Sequence, residues 1–338
     1  MYSQSCRKQV SCHAIRPAAA RGNTPNMNTP NKLPDLKHSA SVGVLYIAVA
    51  LTTIVVPVLG VGYAAWLFAQ EGISAIDLSL LLGMYLFTIL GVELGYHRYL
   101  THRALKVRPW LKRLLVVAGA MAADGPPIWW SAIHRRHHAF SDQPGDPHSP
   151  NAPHEGLAGW WHAHIGWMFK PDYTAAHSVL HAKDLLREAD LRAIDQQYIW
   201  WVLLGLAFPA LVGGALTASW HGAWTGFVWG GLVRMFCGQH ALWWGIVTLC
   251  HTIGTRPFET EDRSRNNVLV AILFLGDGWH NNHHAFPASA KVGLRWWEFD
   301  PTWWVIVVLR RLGLVWDVNV PADTSARGQH YQRGKPTT

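Results

Sequence analysis

Three clusters of histidine have a spacing that could bind metal ions. They are His97-Arg-Tyr-Leu-Thr-His102, His134-Arg-Arg-His137-His138 and His280-Asn-Asn-His283-His284. Neutral imidazole is a good ligand for iron, zinc and copper. A zinc site needs only about four ligands, whereas eight clustered imidazoles suit two metal ions. The pattern therefore predicts a pair of metal ions, with iron and oxygen chemistry favoured.

The spacing within each cluster predicts which histidines can act together. In an α-helix, residues i, i+3 and i+4 share a stripe about 100° wide. The second and third clusters therefore each predict three imidazoles that point toward metal. His97 and His102 are five residues apart, which is about 140° on an α-helix. They can meet only if the helix ends between them, and His97 does follow a long apolar segment.

The elements that must position these histidines are membrane helices. A helix needs about 20 apolar residues to cross a bilayer. Four segments meet that length, at residues 41–68, 75–95, 198–218 and 224–250, although Arg234 interrupts the last. Shorter apolar runs at 111–123, 268–276 and 303–316 predict interfacial or packed helices.

The distribution of basic residues predicts the topology. Lys and Arg number 6 in residues 1–40, 12 in 96–197 and 10 in 251–338, and none lies in the short turns at 70–74 and 219–223. Positive loops stay on the cytoplasmic side, so both termini and the central loop are expected there. We predict an all-α integral membrane protein, with four transmembrane helices in two hairpins and a cytoplasmic His-rich helical cap holding a di-metal site.

The remaining composition bounds the domain organisation. We predict a disordered N-terminal tail at 1–38, a membrane domain at 39–320 and a disordered C-terminal tail at 321–338. The leader is basic and poor in acids, as in an organelle transit peptide. The alternative, which we favour, is an extended start with Met27 as the true initiator.

Charge and cysteine content exclude several functions. The net charge is +8, but no nucleic-acid motif accompanies it, so no nucleic-acid partner is expected. The four cysteines form no CxxC pair. They therefore support neither a disulfide framework nor a thiolate zinc site.

The extended clusters resemble a known family. HRYLTHR, HRRHHAFSDQPGDPHS and GWHNNHHAFP are similar to the three histidine boxes of integral-membrane fatty acyl desaturases of the stearoyl-CoA Δ9 type. The resemblance covers roughly residues 41–317. It implies a di-iron centre that uses O2 and two electrons to insert a cis double bond, Δ9 in position, into an acyl-CoA or acyl-lipid substrate. Electrons would come from a separate donor such as a ferredoxin, a rubredoxin or a cytochrome b5.

The resemblance also implies a ninth metal ligand, His251, at the end of the fourth predicted span. In the family an Asn four residues earlier holds a metal-bound water, and Val247 stands at that position here. The Glu that commonly precedes the third box is Asp277 here. The residue Val247 predicts that one contact to a metal-bound water is missing or supplied elsewhere, whereas Asp277 is a milder departure from the family pattern.

Other polar residues have two interpretations. Asp277, Asp142 and Glu93 could orient ligating imidazoles, and so could Asp146, which with Asp142 would support the second cluster. The alternatives are a helix-terminal charge for Asp277, a turn-forming role for Asp142 together with Asp146, and a different polar partner for Glu93. Five cations could hold an anionic headgroup, or could simply reflect the positive-inside bias: Arg103, Arg135, Arg136, Lys291 and Arg295. Three further histidines, His148, His162 and His164, are expected to be structural or to support ligands.

Two rival functions remain at this stage. A membrane di-iron hydroxylase acting on an alkyl or acyl chain would use similar histidine clusters, and its product would be an alcohol. A metal transporter would place its ionisable ligands near mid-membrane, whereas these histidines lie at membrane ends and in loops. The expected location is a multi-pass position in a bacterial inner membrane, with an organelle membrane as the alternative.

Overall fold

The computed structural model describes residues 40–170 and 180–322, with side chains in the first helix from residue 47 onward. The predicted N-terminal tail, and the C-terminal tail from residue 323, lie outside them. The α-helices in chain order are α1 (Ala40–Glu71), α2 (Ala75–Leu90), α3 (Pro109–Met121), α4 (Pro127–Phe140), α5 (Gly156–His164), α6 (Ala189–Gln196), α7 (Tyr198–Thr217), α8 (Trp220–Gly226), α9 (Arg234–His240), α10 (Val268–Leu273), α11 (His280–Ala285) and α12 (Pro301–Arg311).

The described part of the chain also contains π-helical segments, which are wider than an α-helix, and 3-10 turns, which are tighter. Three segments are π-helical and extend neighbouring α-helices: Gly91–Thr101, Phe227–Val233 and Ala241–Thr248. Short 3-10 turns cover Gly166–Phe169, Leu185–Arg187 and Leu249–His251. The described β-structure includes a two-stranded antiparallel sheet, in which β1 (Lys106–Val107) pairs with β2 (Val315–Trp316). The predicted mostly helical fold is therefore confirmed.

Three helices in the described part of the chain are long and apolar enough to cross a membrane, at Ile47–Glu71, Ala75–Thr101 and Tyr198–Thr217. They correspond to three of the four predicted spans. The fourth predicted segment is helical without interruption from Trp220 to His251. It is not among the three helices that meet the length and hydropathy of a membrane span, and it contains Arg234 and Gln239. The four-span count stays a prediction.

Two tight turns join these long helices into pairs. Ser74 begins α2 by accepting a hydrogen bond from the Asp77 backbone N–H, and Ser219 begins α8 by accepting one from Gly222. A serine at this position satisfies a backbone donor that the helix itself leaves free. Each helix that starts at such a turn then runs on to a histidine, His97 or His251. The metal-binding candidates therefore lie at the helix ends remote from the turns.

The π-helical segment Gly91–Thr101 is held tightly against α3. A Cβ added to Gly91 would lie 2.2 Å from the backbone nitrogen of Gly119, so only glycine permits this approach. The buried Arg98 guanidinium donates to both carboxylate oxygens of Asp300, at 3.2 and 2.9 Å. Asp300 also caps α12 through the Trp303 backbone N–H. One buried ion pair thus links α12 to the helix that carries His97.

Candidate metal centre

The first histidine pair is brought together by a change in helix type. The backbone N–H of His102 donates to the carbonyl of His97 at 3.1 Å, the i→i+5 pattern of a π-helix. Residues five apart then share one face, and the two rings lie 4.8 Å apart. The helix does end between the two histidines, at Thr101, and its last turns are π-helical, which was not expected.

The second cluster lies on α4, which is anchored to the end of this π-helix. Arg135 donates to the backbone carbonyls of Leu100 and Thr101 at 2.7 and 3.0 Å. It also forms an ion pair with Asp184 at 2.7 Å. Arg135 therefore fixes the position of the second cluster relative to the first.

The third cluster lies on the six-residue helix α11, and its two asparagines hold that helix in place. Asn281 accepts from the Phe258 backbone N–H at 2.8 Å. Asn282 bonds Asn266 and Glu298 through its side chain, at 2.7 and 2.8 Å. Both asparagines are buried. The residues between the histidines are thus structural anchors that aim three imidazoles into the centre.

The structure brings all nine predicted histidines together, but it sorts them into two groups. Within each group the potential ligand atoms lie within 4.8 Å of one another. The five-histidine group contains His97, His102, His134, His138 and His283, and the four-histidine group contains His137, His251, His280 and His284. Each HxxHH cluster is divided, because its i and i+4 members join one group and its i+3 member joins the other. The three imidazoles of one cluster therefore do not share one metal.

The nitrogen atoms have a spacing that fits bound metal. Nε2 of His283 lies 3.1 Å from Nε2 of His97 and 2.9 Å from Nε2 of His138. Two ligands at about 2.1 Å from one ion and at right angles would lie about 3.0 Å apart. A ring nitrogen carries at most one proton, so His283 cannot satisfy two such neighbours by hydrogen bonds alone. Nε2 of His102 is buried without a hydrogen-bond partner, as an open ligand atom would be.

The four-histidine group shows the same convergence. Nε2 of His280 lies 3.2 Å from Nε2 of His251 and 3.1 Å from Nε2 of His284. Both groups therefore fit a pair of metal ions by donor type and by spacing.

Three carboxylates orient the four-histidine group from behind. Nδ1 of His137 contacts Asp146 at 3.0 Å, Nδ1 of His251 contacts Asp142 at 2.7 Å and Nδ1 of His284 contacts Asp262 at 2.6 Å. Such pairs fix which nitrogen faces the metal and make the imidazole a stronger ligand. Asp142 was expected to support the second cluster, but it contacts His251 instead, and Asp146 fills that role.

No motif in the sequence points to Asp262. It lies 22 residues before His284, in a loop whose folding no local spacing reveals. The carboxylates near the five-histidine group are farther from its rings. Asp277 lies 3.3 Å from Nδ1 of His97 and 4.0 Å from Nδ1 of His280, and Glu93 lies 3.8 Å from Nδ1 of His97. The four-histidine group therefore has fewer imidazoles and closer negative charge.

The three additional histidines separate into one neighbour and two remote residues. His148 stacks on His137 at 4.6 Å between ring centroids. His162 lies beside His154, and His164 lies beside His240 and Trp244. None of the three belongs to the five- or four-histidine group.

Burial keeps most of these imidazoles neutral. Loss of hydration, reinforced by neighbouring imidazoles, holds the pKa of His134, His138, His280 and His283 well below the ordinary histidine value. The neutral ring has the lone pair that binds metal. Burial would raise the pKa of Asp262, but the nearby His284 imidazole outweighs it and holds that pKa below its usual range. Burial alone would lower the pKa of His251, but the Asp142 carboxylate outweighs it and raises that pKa to about 9. The site therefore presents mostly neutral nitrogens backed by ionised carboxylates.

A pocket opens onto these histidines. Its walls include His134, His137, His251 and His280, together with the apolar residues Trp130, Leu242, Trp243, Ile246 and Val247. Val247, whose side chain has no polar atom, lies one helical turn before His251. Gln239, a buried polar residue earlier in the same helical segment, donates through its amide nitrogen to the Ala123 carbonyl at 3.2 Å. Apolar walls beside a metal centre suit a hydrocarbon substrate.

The five cations considered for a headgroup have different surroundings. Arg103 and Arg135 both pair with Asp184, and Arg136 donates to the Gly145 carbonyl. Arg295 is exposed and lies 5.4 Å above the Trp297 ring, whereas Lys291 is half-buried. Among the described residues no ion pair within 4 Å involves Lys291 or Arg295. These two keep their charge available for a ligand.

Comparison with known proteins gives a consistent result. Residues 73–314 match the family model described as fatty acid desaturase. The chain is 42% identical over 273 residues to a hex-5-enoyl-[acyl-carrier protein] acetylenase of Moorena producens, covering 79% of this chain and 84% of that protein. It is 38% identical to an acyl-CoA 5-desaturase of Anemone leveillei, covering 72% of each chain. It is 37% identical to an sn-1 stearoyl-lipid 9-desaturase of Anabaena variabilis, covering 68% of this chain and 79% of that protein.

Proposed function

The chain belongs to the fatty acid desaturase family, and from that premise we propose that it inserts a cis double bond into a saturated fatty acyl chain in a membrane. It is thus an oxidoreductase that acts on acyl chains. The double bond is proposed at Δ9, following the resemblance of its histidine boxes. Its relatives are named for Δ9, Δ5 and Δ7 desaturases and for an acetylenase, so the position is a separate question for experiment.

The convergence of nine histidines, seven of them buried and two half-buried, into a group of five and a group of four carries this proposal. These residues would hold two iron ions, one in each group. Iron bound there would supply, with O2 and two electrons, the oxidising power that an unactivated C–H bond requires. Zinc has no redox chemistry, so it would not serve this reaction.

The chain's own residues bind and orient the substrate. The pocket walls formed by Trp130, Trp243 and Ile246 would hold an extended hydrocarbon beside the histidines and keep water out. Asp142, Asp146 and Asp262 would keep the imidazoles of the four-histidine group in position. Exclusion of water protects the reaction from side products.

The membrane arrangement is part of the proposal. Four spans in two hairpins would place both termini and the histidine-bearing cap on the cytoplasmic side. There the centre could meet an external electron donor of the ferredoxin, rubredoxin or cytochrome b5 type. Lys291 and Arg295 would contact the anionic headgroup of an acyl-CoA or acyl-lipid substrate.

Expression in a host that lacks its own desaturase tests the function. Lipids from cells expressing the wild-type chain should contain new cis double bonds, located by mass spectrometry. His283→Ala provides the matched control, because it removes a ligand and leaves the walls of the pocket intact. An alcohol in place of an alkene would identify a hydroxylase, a triple bond would identify an acetylenase, and unchanged lipids would refute the proposal.

A further inference from the structure

The substrate pocket contains a carboxyl group that the desaturase reaction does not use. Asp124 lies in the turn between α3 and α4 and lines the same pocket as the histidines. Only 6% of the residue is exposed. Neither of its carboxyl oxygens accepts a hydrogen bond from any residue in the described part of the chain. A buried polar atom without a partner is destabilising, so a carboxyl kept in this state points to a ligand.

The polar groups around Asp124 are already engaged with backbone atoms. Gln239 donates to the carbonyl of Ala123, and the backbone N–H of Gly125 donates to the Tyr198 hydroxyl. The buried Arg234 donates to the carbonyls of Met121 and Gly205. Arg234 also forms no ion pair within 4 Å with any described carboxylate. The surrounding protein therefore stabilises the turn and leaves the carboxyl free to face the pocket.

The electrostatic environment agrees with an unfilled hydrogen-bonding position. Burial raises the pKa of Asp124 to about 7, and the positive charge of Arg234 opposes that rise only in part. The group can therefore either donate or accept a hydrogen bond near neutral pH. A methylene chain offers it neither interaction, whereas a hydroxyl group offers both.

We infer that Asp124 forms a binding subsite for a hydroxyl group on the acyl chain, so that the preferred substrate is a hydroxylated fatty acyl chain. This inference rests on the proposed function. The apolar walls of the same pocket, which include Leu242, Trp243 and Ile246, would pack against the hydrocarbon part of the chain. A site built to bond a hydroxyl discriminates strongly against a substrate that lacks it, because its own polar group is then left unpaired.

Binding to the purified protein tests the subsite independently of turnover. The probes are stearic acid and a set of monohydroxystearic acids whose hydroxyl occupies successive carbons of the distal half of the chain. Wild type should bind at least one hydroxylated isomer about tenfold more tightly than stearic acid, the discrimination expected of a hydrogen bond to an ionisable group. Asp124→Leu should lose this preference, and Asp124→Asn should retain most of it.

A second buried carboxylate provides the control. Asp77 is also 6% exposed, but it lies in the first turn of α2, accepts a hydrogen bond from the Ser74 hydroxyl and does not line the pocket, so Asp77→Leu should leave the preference unchanged. Equal binding of stearic acid and every hydroxylated isomer by wild type would overturn the subsite even if no variant folds. An unaltered preference in Asp124→Leu would also overturn it.

Feeding the same acids to the desaturase-deficient host separates the two proposals. If more new double bonds form in hydroxylated chains than in stearoyl chains, both the desaturase function and the hydroxyl subsite are supported. New double bonds in stearoyl chains alone support the desaturase function and overturn the hydroxyl subsite. If no chain is desaturated, the proposed function fails, and the binding comparison still decides whether Asp124 recognises a hydroxyl group.

Discussion

Replacing Asp262 should release the metal of the four-histidine group. Its carboxylate lies 2.6 Å from Nδ1 of His284 and its side chain is only 10% exposed. A hydrogen bond to a charged group contributes about 1.5–3 kcal/mol, and about 1.4 kcal/mol corresponds to a tenfold change in affinity. We therefore expect Asp262→Ala to weaken that metal about 10- to 100-fold, as for other carboxylates behind metal-bound histidines. Asp262→Asn keeps an acceptor oxygen without the charge, so its loss should be smaller.

The measurement is iron per chain in purified protein during stepwise chelator competition. Wild type should release its two irons either at clearly different chelator concentrations or both at a high concentration. Asp262→Ala should release one iron at a chelator concentration about 10- to 100-fold lower than wild type requires. Asp317→Ala is the control, because Asp317 is exposed and, among the residues that the structure describes, forms an ion pair only with Lys106. If Asp262→Ala retains both irons with wild-type resistance to the chelator, then Asp262 does not support a ligand and the assignment of His284 is refuted.

Three further predictions concern the metals and the topology. His251→Ala should remove about one iron per chain, since it deletes one of the four imidazoles of its group. Val247→Asn should be tolerated and should change iron retention modestly. Metal analysis of both purified variants tests this, and wild-type iron content in His251→Ala would contradict it. A cysteine introduced at Gln70 and one introduced at Asp317 should react with an impermeant label from opposite sides of the membrane, because the basic residues avoid the 70–74 turn. Labelling of both cysteines from the same side would refute the predicted arrangement of spans. Because the folded pKa of His134 and of His280 lies well below the ordinary histidine value, these two rings stay neutral as pH falls. Each of them belongs to one of the two groups, so iron should remain bound from about pH 7 to about pH 5. Loss of half the iron near pH 6.5 during dialysis would contradict this.

The metal-binding chemistry could be predicted from the sequence because it depends on residue type and local spacing. Imidazoles at i, i+3 and i+4 on a helix must lie on one side of it, so the HxxHH clusters could be recognised as candidate metal ligands from the sequence. Long apolar segments are equally local signals, and three of the predicted spans are helices of the required length. The family resemblance added His251, which no spacing around it could reveal.

Only the tertiary structure shows which histidine belongs to which group. His134 and His137 lie in one cluster but join different groups, because the rings that complete each group come from other helices. Helix type was also hidden, since the π-turn that aligns His97 with His102 depends on packing against neighbouring elements.

The most distant contacts had no sequence signal at all. Asp262 reaches His284 across a loop, and Asp124 enters the pocket because α3 and α4 fold around the turn that carries it. A carboxylate has the same local sequence signature whether it lies in water or behind a ligand. Only the folded arrangement decides which one it is, because burial and partners depend on residues remote in the chain.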